Sequence, residues 1–305
     1  MNSNHPLLRL EQEHIAALDL PFEKLQGSTI AVTGAAGLIG SSFLRALDGV
    51  NRIRGLNMRL MALCRDEARA RAALGDISGL AYLHYDALLP LGEALQADYI
   101  LHAASNAHPL AFSGDPVGTM QANLLGTMHL LENIRIHGGR LLLCSTGEIY
   151  GELPGADSFD EAHFGSIDPM RVRSCYPESK RAAETLCAAY HAQYGADALA
   201  ARLCYVYGPA ITRENSRADA QFLRKALAGE DIVLKSTGSQ VRSYCYAADA
   251  AGALLTLMLR GEAGLAYNIA NPAGTASIRE YAQTLADLAG VNLCFDLPPE
   301  AERAG

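Results

Sequence analysis

Thr33-Gly34-Ala35-Ala36-Gly37-Leu38-Ile39-Gly40 follows directly on the β-branched run 28–33 and opens the helical pattern 38–47. Its three glycines, each three residues after the last, have different uses. Gly34 permits a tight turn. Gly37 lets the backbone approach a pyrophosphate, because no Cβ intervenes. Gly40 lets the helix lie close to the strand. A phosphate seated there meets the free N–H groups of the first helical turn, at Leu38, Ile39 and Gly40, and the positive end of the helix dipole. The strand before and the helix after separate this stretch from a plain glycine-rich turn.

Outward from the turn, short apolar runs alternate with helical patterns. The runs are 28–33, 58–63, 81–84, 99–102, 141–145 and 199–206, and the helical patterns are 38–47, 66–74, 116–137 and 175–194. Strands alternating with helices predict βαβ units and a parallel sheet covered on both faces. The pattern loosens after Tyr207-Gly208-Pro209. A polar loop at 212–218 precedes a helix at 220–229, a strand at 232–234, an apolar aromatic stretch at 241–247, a helix at 248–260 and a strand at 266–270. The predicted fold is α/β, a Rossmann-type doubly wound parallel sheet with a smaller interleaved C-terminal substrate lobe. Residues 28–207 with 240–262 form the NAD(P)-binding domain. Residues 208–239 with 263–305 form the lobe, and 1–27 an N-terminal extension.

The chain has 305 residues, half of them apolar, and a formal net charge of -8. That is ample for a large core and unlike a basic nucleic-acid binder. Local arginines can still bind a phosphate. Residues 1–26 lack a continuous apolar core and do not read as a signal peptide, and no run reads as a membrane span. Seven scattered cysteines without a C-x-x-C pair predict a reduced, cytoplasmic protein with no metal site.

The cofactor's adenosine side is less defined. After the second strand come Cys64-Arg65-Asp66. A carboxylate there suits the ribose 2′-OH of NAD, and Arg65 suits the 2′-phosphate of NADP. Both cofactors stay open. Asp86, after the third strand, is placed to receive the adenine amino group or to cap the next helix.

Tyr176-Pro177-Glu178-Ser179-Lys180 opens a strong helical pattern, with Pro177 in its first turn. Tyr176 and Lys180 are four apart and share one face. An ammonium near a phenol favours the phenolate, so Lys180 is expected to lower the Tyr176 pKa and make it a general base. Upstream, a strand ends in Cys144-Ser145-Thr146-Gly147-Glu148, which brings Ser145, Thr146 and Glu148 to the crevice beyond the strand ends. Alone, a Tyr-x-x-x-Lys spacing is weak. With the glycine turn and the Ser/Thr strand end it is specific.

These pieces, with His102-Ala103-Ala104-Ser105, Asn123, Gly126-Thr127, Arg202 and Tyr207-Gly208-Pro209, resemble the extended short-chain dehydrogenase/reductase family, the NAD-dependent nucleotide-sugar epimerases and dehydratases. The resemblance runs from Thr29 to about Arg279. It implies that Thr146, Tyr176 and Lys180 form a catalytic triad and that Ala103, Ala104 and Ser105 line the nicotinamide side, Ser105 also facing substrate. It implies a homodimer built on the helices 116–137 and 175–194. The nearest pattern is that of UDP-glucuronate decarboxylases, carried by Arg173-Ser174-Cys175-Tyr176, Lys180-Arg181, Gly238-Ser239-Gln240 and Arg242-Ser243-Tyr244-Cys245-Tyr246. Gly147 departs from both neighbours: dehydratases usually carry an Asp there that helps expel the C6 oxygen, and decarboxylases a Ser. The end at Gly305 is earlier than is usual, and a late substrate-contacting arm is expected to be missing.

The implied chemistry is a transient 4-keto sugar. Tyr176 takes the C4 hydroxyl proton with Thr146 in the same hydrogen-bond path, and Lys180 holds the ribose. Decarboxylation, 4-epimerisation and 4,6-dehydration all remain open outcomes. Glu148 serves as base or proton donor near C5, or only as a structural group. Arg242 is the first candidate for the substrate diphosphate and Arg217 the second, since a guanidinium grips phosphate bidentately. A non-catalytic nucleotide-binding protein on the same fold is the alternative of another class.

Overall fold

The computed structural model describes residues 5–155, 158–211 and 215–297. The chain end at Gly305 and the start of the expected loop 212–218 lie outside the described residues. The strands are β1 (Thr29–Thr33), β2 (Arg59–Cys64), β3 (Ala81–His84), β4 (Tyr99–His102), β5 (Arg140–Thr146), β6 (Asp197–Leu203), β7 (Tyr205–Tyr207), β8 (Ile232–Leu234), β9 (Val241–Tyr246), β10 (Ala266–Ile269), β11 (Thr275–Ser277) and β12 (Leu293–Phe295). The helices are α1 (Pro6–Ala16), α2 (Leu38–Arg54), α3 (Glu67–Leu74), α4 (Pro109–Gly114), α5 (Pro116–His137), α6 (Cys175–Tyr194), α7 (Ala218–Leu227), α8 (Ala247–Arg260) and α9 (Ile278–Ala289).

Seven strands form one parallel sheet in the order β10-β6-β5-β4-β1-β2-β3. This is a Rossmann-type sheet. Its order reverses between β1 and β4, and the crevice beyond that switch point is where such sheets bind ligands. The strands are apolar on both faces because both are covered. Ile30, Val32, Leu142 and Leu199 join the core under α2 and α8, with Phe43, Leu44, Leu47 and Leu254. Their strand neighbours Ala31, Leu141, Leu143, Ala198 and Ala200 join a second core under α5 and α6, with Leu130, Leu131, Ala183 and Cys187. The alternation is the period-two geometry of a strand buried on both sides.

The structure changes three boundaries. The run 199–206 is two strands. β6 stays in the main sheet, Cys204 turns the chain, and β7 pairs with β9, which pairs in turn with β11. β10, expected in the lobe 263–305, pairs with β6 as the outermost strand of the main sheet. Within the expected N-terminal extension, residues 5–27 are packed on the main body: α1 packs on α2 and α8, burying Ile15, and Gln12 donates to the Arg45 carbonyl at 2.9 Å. The smaller lobe keeps its own core of Phe222, Ala226, Ile232, Leu234, Ala282 and Ala286. A Ser277–Glu280 capping box starts α9 there. Among the described residues, no helix is long and apolar enough to cross a membrane.

Candidate active site

The glycine turn has the geometry its sequence predicts. Gly34 sits at φ +64°, and a Cβ there would lie 2.7 Å from the Ala103 carbonyl carbon and oxygen. A Cβ on Gly40 would collide with the Gly34 carbonyl. Gly37 caps α2 in an extended conformation, and the first helical bond runs from the Ser41 N–H to the Gly37 carbonyl. The N–H groups of Leu38, Ile39 and Gly40 precede that bond and have no helical acceptor.

At the end of β1, the Thr33 hydroxyl oxygen accepts the N–H groups of Ala103 and Ala104, each at 3.1 Å. Its own proton therefore goes to His102 Nδ1, 2.8 Å away. One threonine thus ties β1 to the first residues beyond β4. The His102 proton sits on Nε2, buried and without a partner among the described residues. Burial, with the nearby charge of Lys180, pushes this imidazole down to about 3. Ser105 Oγ is also buried without a partner among the described residues. Arg65 is exposed beyond β2. Asp66 caps α3 by accepting the Arg69 N–H at 2.9 Å, and Asp86 accepts the Leu88 N–H at 3.0 Å in a local turn.

Tyr176, Lys180 and Thr146 come together and are 4%, 2% and 6% exposed. β5 delivers Thr146, and the first turns of α6 deliver the other two. The Tyr176 ring stacks on Phe112 with centroids 5.4 Å apart. Burial pushes the phenol up to about 12. Arg217 opposes that shift, Glu148 adds to it, and a hydrogen bond with Thr146 opposes it. The expectation that Lys180 would lower this phenol is not met. The ammonium instead donates to the Cys144 carbonyl at 2.8 Å, and burial brings it down to about 8. The long side chain, sealed from water, takes a strong acceptor near the end of β5.

The other candidates divide. Ser145 turns away from the crevice and donates to Glu184. The Glu148 carboxylate accepts from Arg173 at 2.7 Å, and the Arg173 guanidinium lies 4.4 Å over the Phe112 ring. Arg217 donates to the Ala107 carbonyl at 2.8 Å and lies 5.6 Å over the Tyr205 ring. Arg242 lies 5.1 Å over the same ring and is held by Gln240 at 2.8 Å. The two arginines, distant in sequence, converge on one tyrosine, and Arg217 is the one that acts on Tyr176. Sequence reading missed Phe112 and Tyr205. Tyr205 lies between the quoted Arg202 and Tyr207, and its aromatic character in a strand was the available signal. Phe112 had none.

A profile of the NAD dependent epimerase/dehydratase family matches residues 30–270. The chain belongs to this family. The chain is similar to UDP-glucuronic acid decarboxylase 5 of Arabidopsis thaliana, 37% identical over 206 residues that make up 68% of the chain and 59% of that relative. It is similar to UDP-glucuronic acid decarboxylase 2 of the same plant, 30% identical over 282 residues, 92% of the chain and 61% of the relative. The chain therefore spans about three fifths of the length of these curated relatives. Among solved structures, a dTDP-glucose 4,6-dehydratase of Streptomyces venezuelae with NAD bound matches with a TM-score of 0.74 and 25% identity, over 90% of this chain and 86% of that one.

Proposed function

We propose that this epimerase/dehydratase acts on a nucleotide sugar through a 4-keto intermediate with NAD, and that its reaction is decarboxylation of UDP-glucuronate. The observation that carries this is the buried gathering of Tyr176, Lys180 and Thr146 at the end of β5, in a chain that has the glycine turn after β1 and is 37% identical to a UDP-glucuronic acid decarboxylase.

The residues fit the cofactor. Gly34 and Gly40 admit no Cβ, the first N–H groups of α2 suit a pyrophosphate, and the unpartnered Ser105 hydroxyl suits the nicotinamide side. Bound, NAD supplies a reversible hydride acceptor for C4. Arg65, exposed beyond β2, leaves room for a 2′-phosphate, so NADP is the comparison to run.

Tyr176 takes the C4 hydroxyl proton, with Thr146 in the same path and Arg217 favouring the phenolate. A C6 carboxylate is then β to the C4 ketone and leaves as carbon dioxide, its bonding electrons passing to C5 and the ketone oxygen. Glu148, held by Arg173 as a carboxylate, relays a proton from solvent water to C5. Arg242 and Arg217 hold the diphosphate. Loss of carbon dioxide needs no acid at C6, whereas expulsion of a C6 oxygen does. Gly147 offers none, which favours decarboxylation over 4,6-dehydration.

A homodimer through α5 and α6 is part of this reading, supported by Val117, Met120 and Met128 standing exposed on α5. A cytoplasmic setting suits seven cysteines that are all free. The test is incubation with UDP-glucuronate, UDP-glucose and dTDP-glucose, each with NAD or NADP, followed by mass spectrometry. Loss of carbon dioxide from UDP-glucuronate is expected. An unchanged mass with a new retention time would select epimerisation. If no sugar nucleotide changes and Tyr176→Phe alters nothing, the enzyme reading fails.

A further inference from the structure

Three consecutive residues of β5 hold three residues spaced by four on α6. Cys144 accepts from Lys180 through its carbonyl, Ser145 donates to Glu184 through its hydroxyl, and Thr146 hydrogen-bonds Tyr176. The outermost of these, Glu184, touches neither the phenol nor the glycine turn. It is nonetheless nearly sealed, 12% exposed, against an arginine that is 6% exposed. Arg202 Nε donates to both carboxylate oxygens, at 3.2 and 3.1 Å, and Nη2 to one of them at 2.8 Å. Arg202 is itself fixed by the Tyr150 hydroxyl at 2.9 Å and the Glu161 carbonyl at 3.1 Å.

A buried ion pair is weak evidence for stability, because desolvation of both charges offsets their attraction. Its position says more. Glu184 lies one helical turn beyond Lys180 on the same face of α6. It joins that helix to β5 and β6, the strands that carry the candidate catalytic crevice. We propose that Glu184 is a positioning residue that sets both the place and the charge of Lys180. This rests on the reading of Lys180 as the lysine of the reaction.

The groups facing the ammonium agree with this. From β5 it meets the Cys144 carbonyl and thiol, from β4 the neutral His102, and along α6 Cys187 and Glu184. Burial lowers Lys180, and the Cys144 and Glu184 side chains oppose that fall. Both thiols are pushed up to about 12 by burial, so near neutral pH the negative charge among these neighbours is that of Glu184, itself paired with Arg202. Without it the Cys144 carbonyl alone holds the buried ammonium, and the Arg202 charge is left unpaired, so the charged form of Lys180 is disfavoured.

The chain has four lysines, Lys24, Lys180, Lys225 and Lys235, so protein grown on lysine carbon-13 labelled at Cε gives few resonances. Lys180→Met assigns the relevant one. Its titration midpoint is followed in the wild type, in Glu184→Gln and in Glu184→Asp, with a thermal melt of each to establish folding. A fall of the midpoint by roughly one unit in Glu184→Gln, with the Asp variant near wild type, is expected. An unmoved midpoint in a folded Glu184→Gln protein overturns the proposal. If the single variant does not fold, the neutral pair Glu184→Gln/Arg202→Gln leaves no buried charge unpaired and carries the same measurement. The titration needs no substrate, so a failed decarboxylase assay leaves it standing. Where turnover is seen, kcat should fall in Glu184→Gln with KM little changed, and its alkaline limb should move to lower pH.

Discussion

The Lys180 ammonium donates to the carbonyl oxygen of Cys144, two residues before Thr146, at 2.8 Å. The lysine is thus anchored to the strand end that also carries the hydroxyl partner of Tyr176. Replacing Lys180 with Met should leave that carbonyl unpaired in a buried place. A stability loss of about 1–3 kcal/mol is expected, measured by urea unfolding. Tyr176→Phe keeps the ring stacked on Phe112 and should fold like the wild type. Its kcat should fall by a factor on the order of 10²–10⁴, measured with UDP-glucuronate.

Arg217 and Arg242 share Tyr205 and the proposed diphosphate, but only Arg217 should move the pH profile. Arg217 favours the Tyr176 phenolate, so Arg217→Ala should raise the phenol further and move the acid limb of kcat/KM to higher pH. Arg242 is bonded within its own strand region, to Val241 and Gln240. Arg242→Ala should raise KM for the nucleotide sugar and leave the pH profile in place. Paired pH–rate profiles decide this, and an identical acid limb in the Arg217 variant would count against its assigned part.

His102 predicts the acid behaviour of the fold. Its folded pKa lies at about 3, below the 6.5 usual for histidine, because burial disfavours the charged ring. Between those values the unfolded chain binds a proton that the folded chain does not. Stability is therefore lost as the pH falls through this window, by up to about 1.4 kcal/mol per unit. His102→Asn keeps an acceptor for Thr33 and should flatten that dependence in denaturant titrations between pH 6 and 4 (roughly the accessible part of the window).

Two glycines should respond in opposite ways to a side chain. Gly34→Ala places a Cβ in a left-handed conformation against the backbone of Ala103, and should cost at least about 1–2 kcal/mol and weaken NAD binding. Gly147 has no positive φ, and its nearest neighbour to a Cβ is the Leu203 carbonyl at 3.8 Å. Gly147→Ser should stay within about 0.5 kcal/mol of wild type. Calorimetry of the two variants side by side checks both.

The glycine turn, the long helices and the first six strands were legible because their signals are local. A turn glycine, a period of 3.6 and an apolar run each report on a few adjacent residues. Partner choice is not local. The pattern of 266–270 fits a strand of either sheet, and only the position of β6 recruits it to the main one. Cys204 carries no turn signal, so the run 199–206 read as one strand. The Tyr176–Lys180 spacing gave the shared helical face correctly. It could not say that burial would direct the ammonium to Cys144, or that the charge of Arg217, from the other lobe, would oppose the effect of burial on the Tyr176 phenol.

β10 is the edge strand of the main sheet, yet β7, α7, β8, β9 and α8 separate it in sequence from the strand it pairs with. On the ribosome, the sheet therefore stays open along β6 until residue 269 has emerged. By then α7, β8 and β9 have been made, but β11, α9 and β12 have not. The main sheet can therefore close before the smaller lobe, whose core draws on Ala282 and Ala286 of α9, is complete.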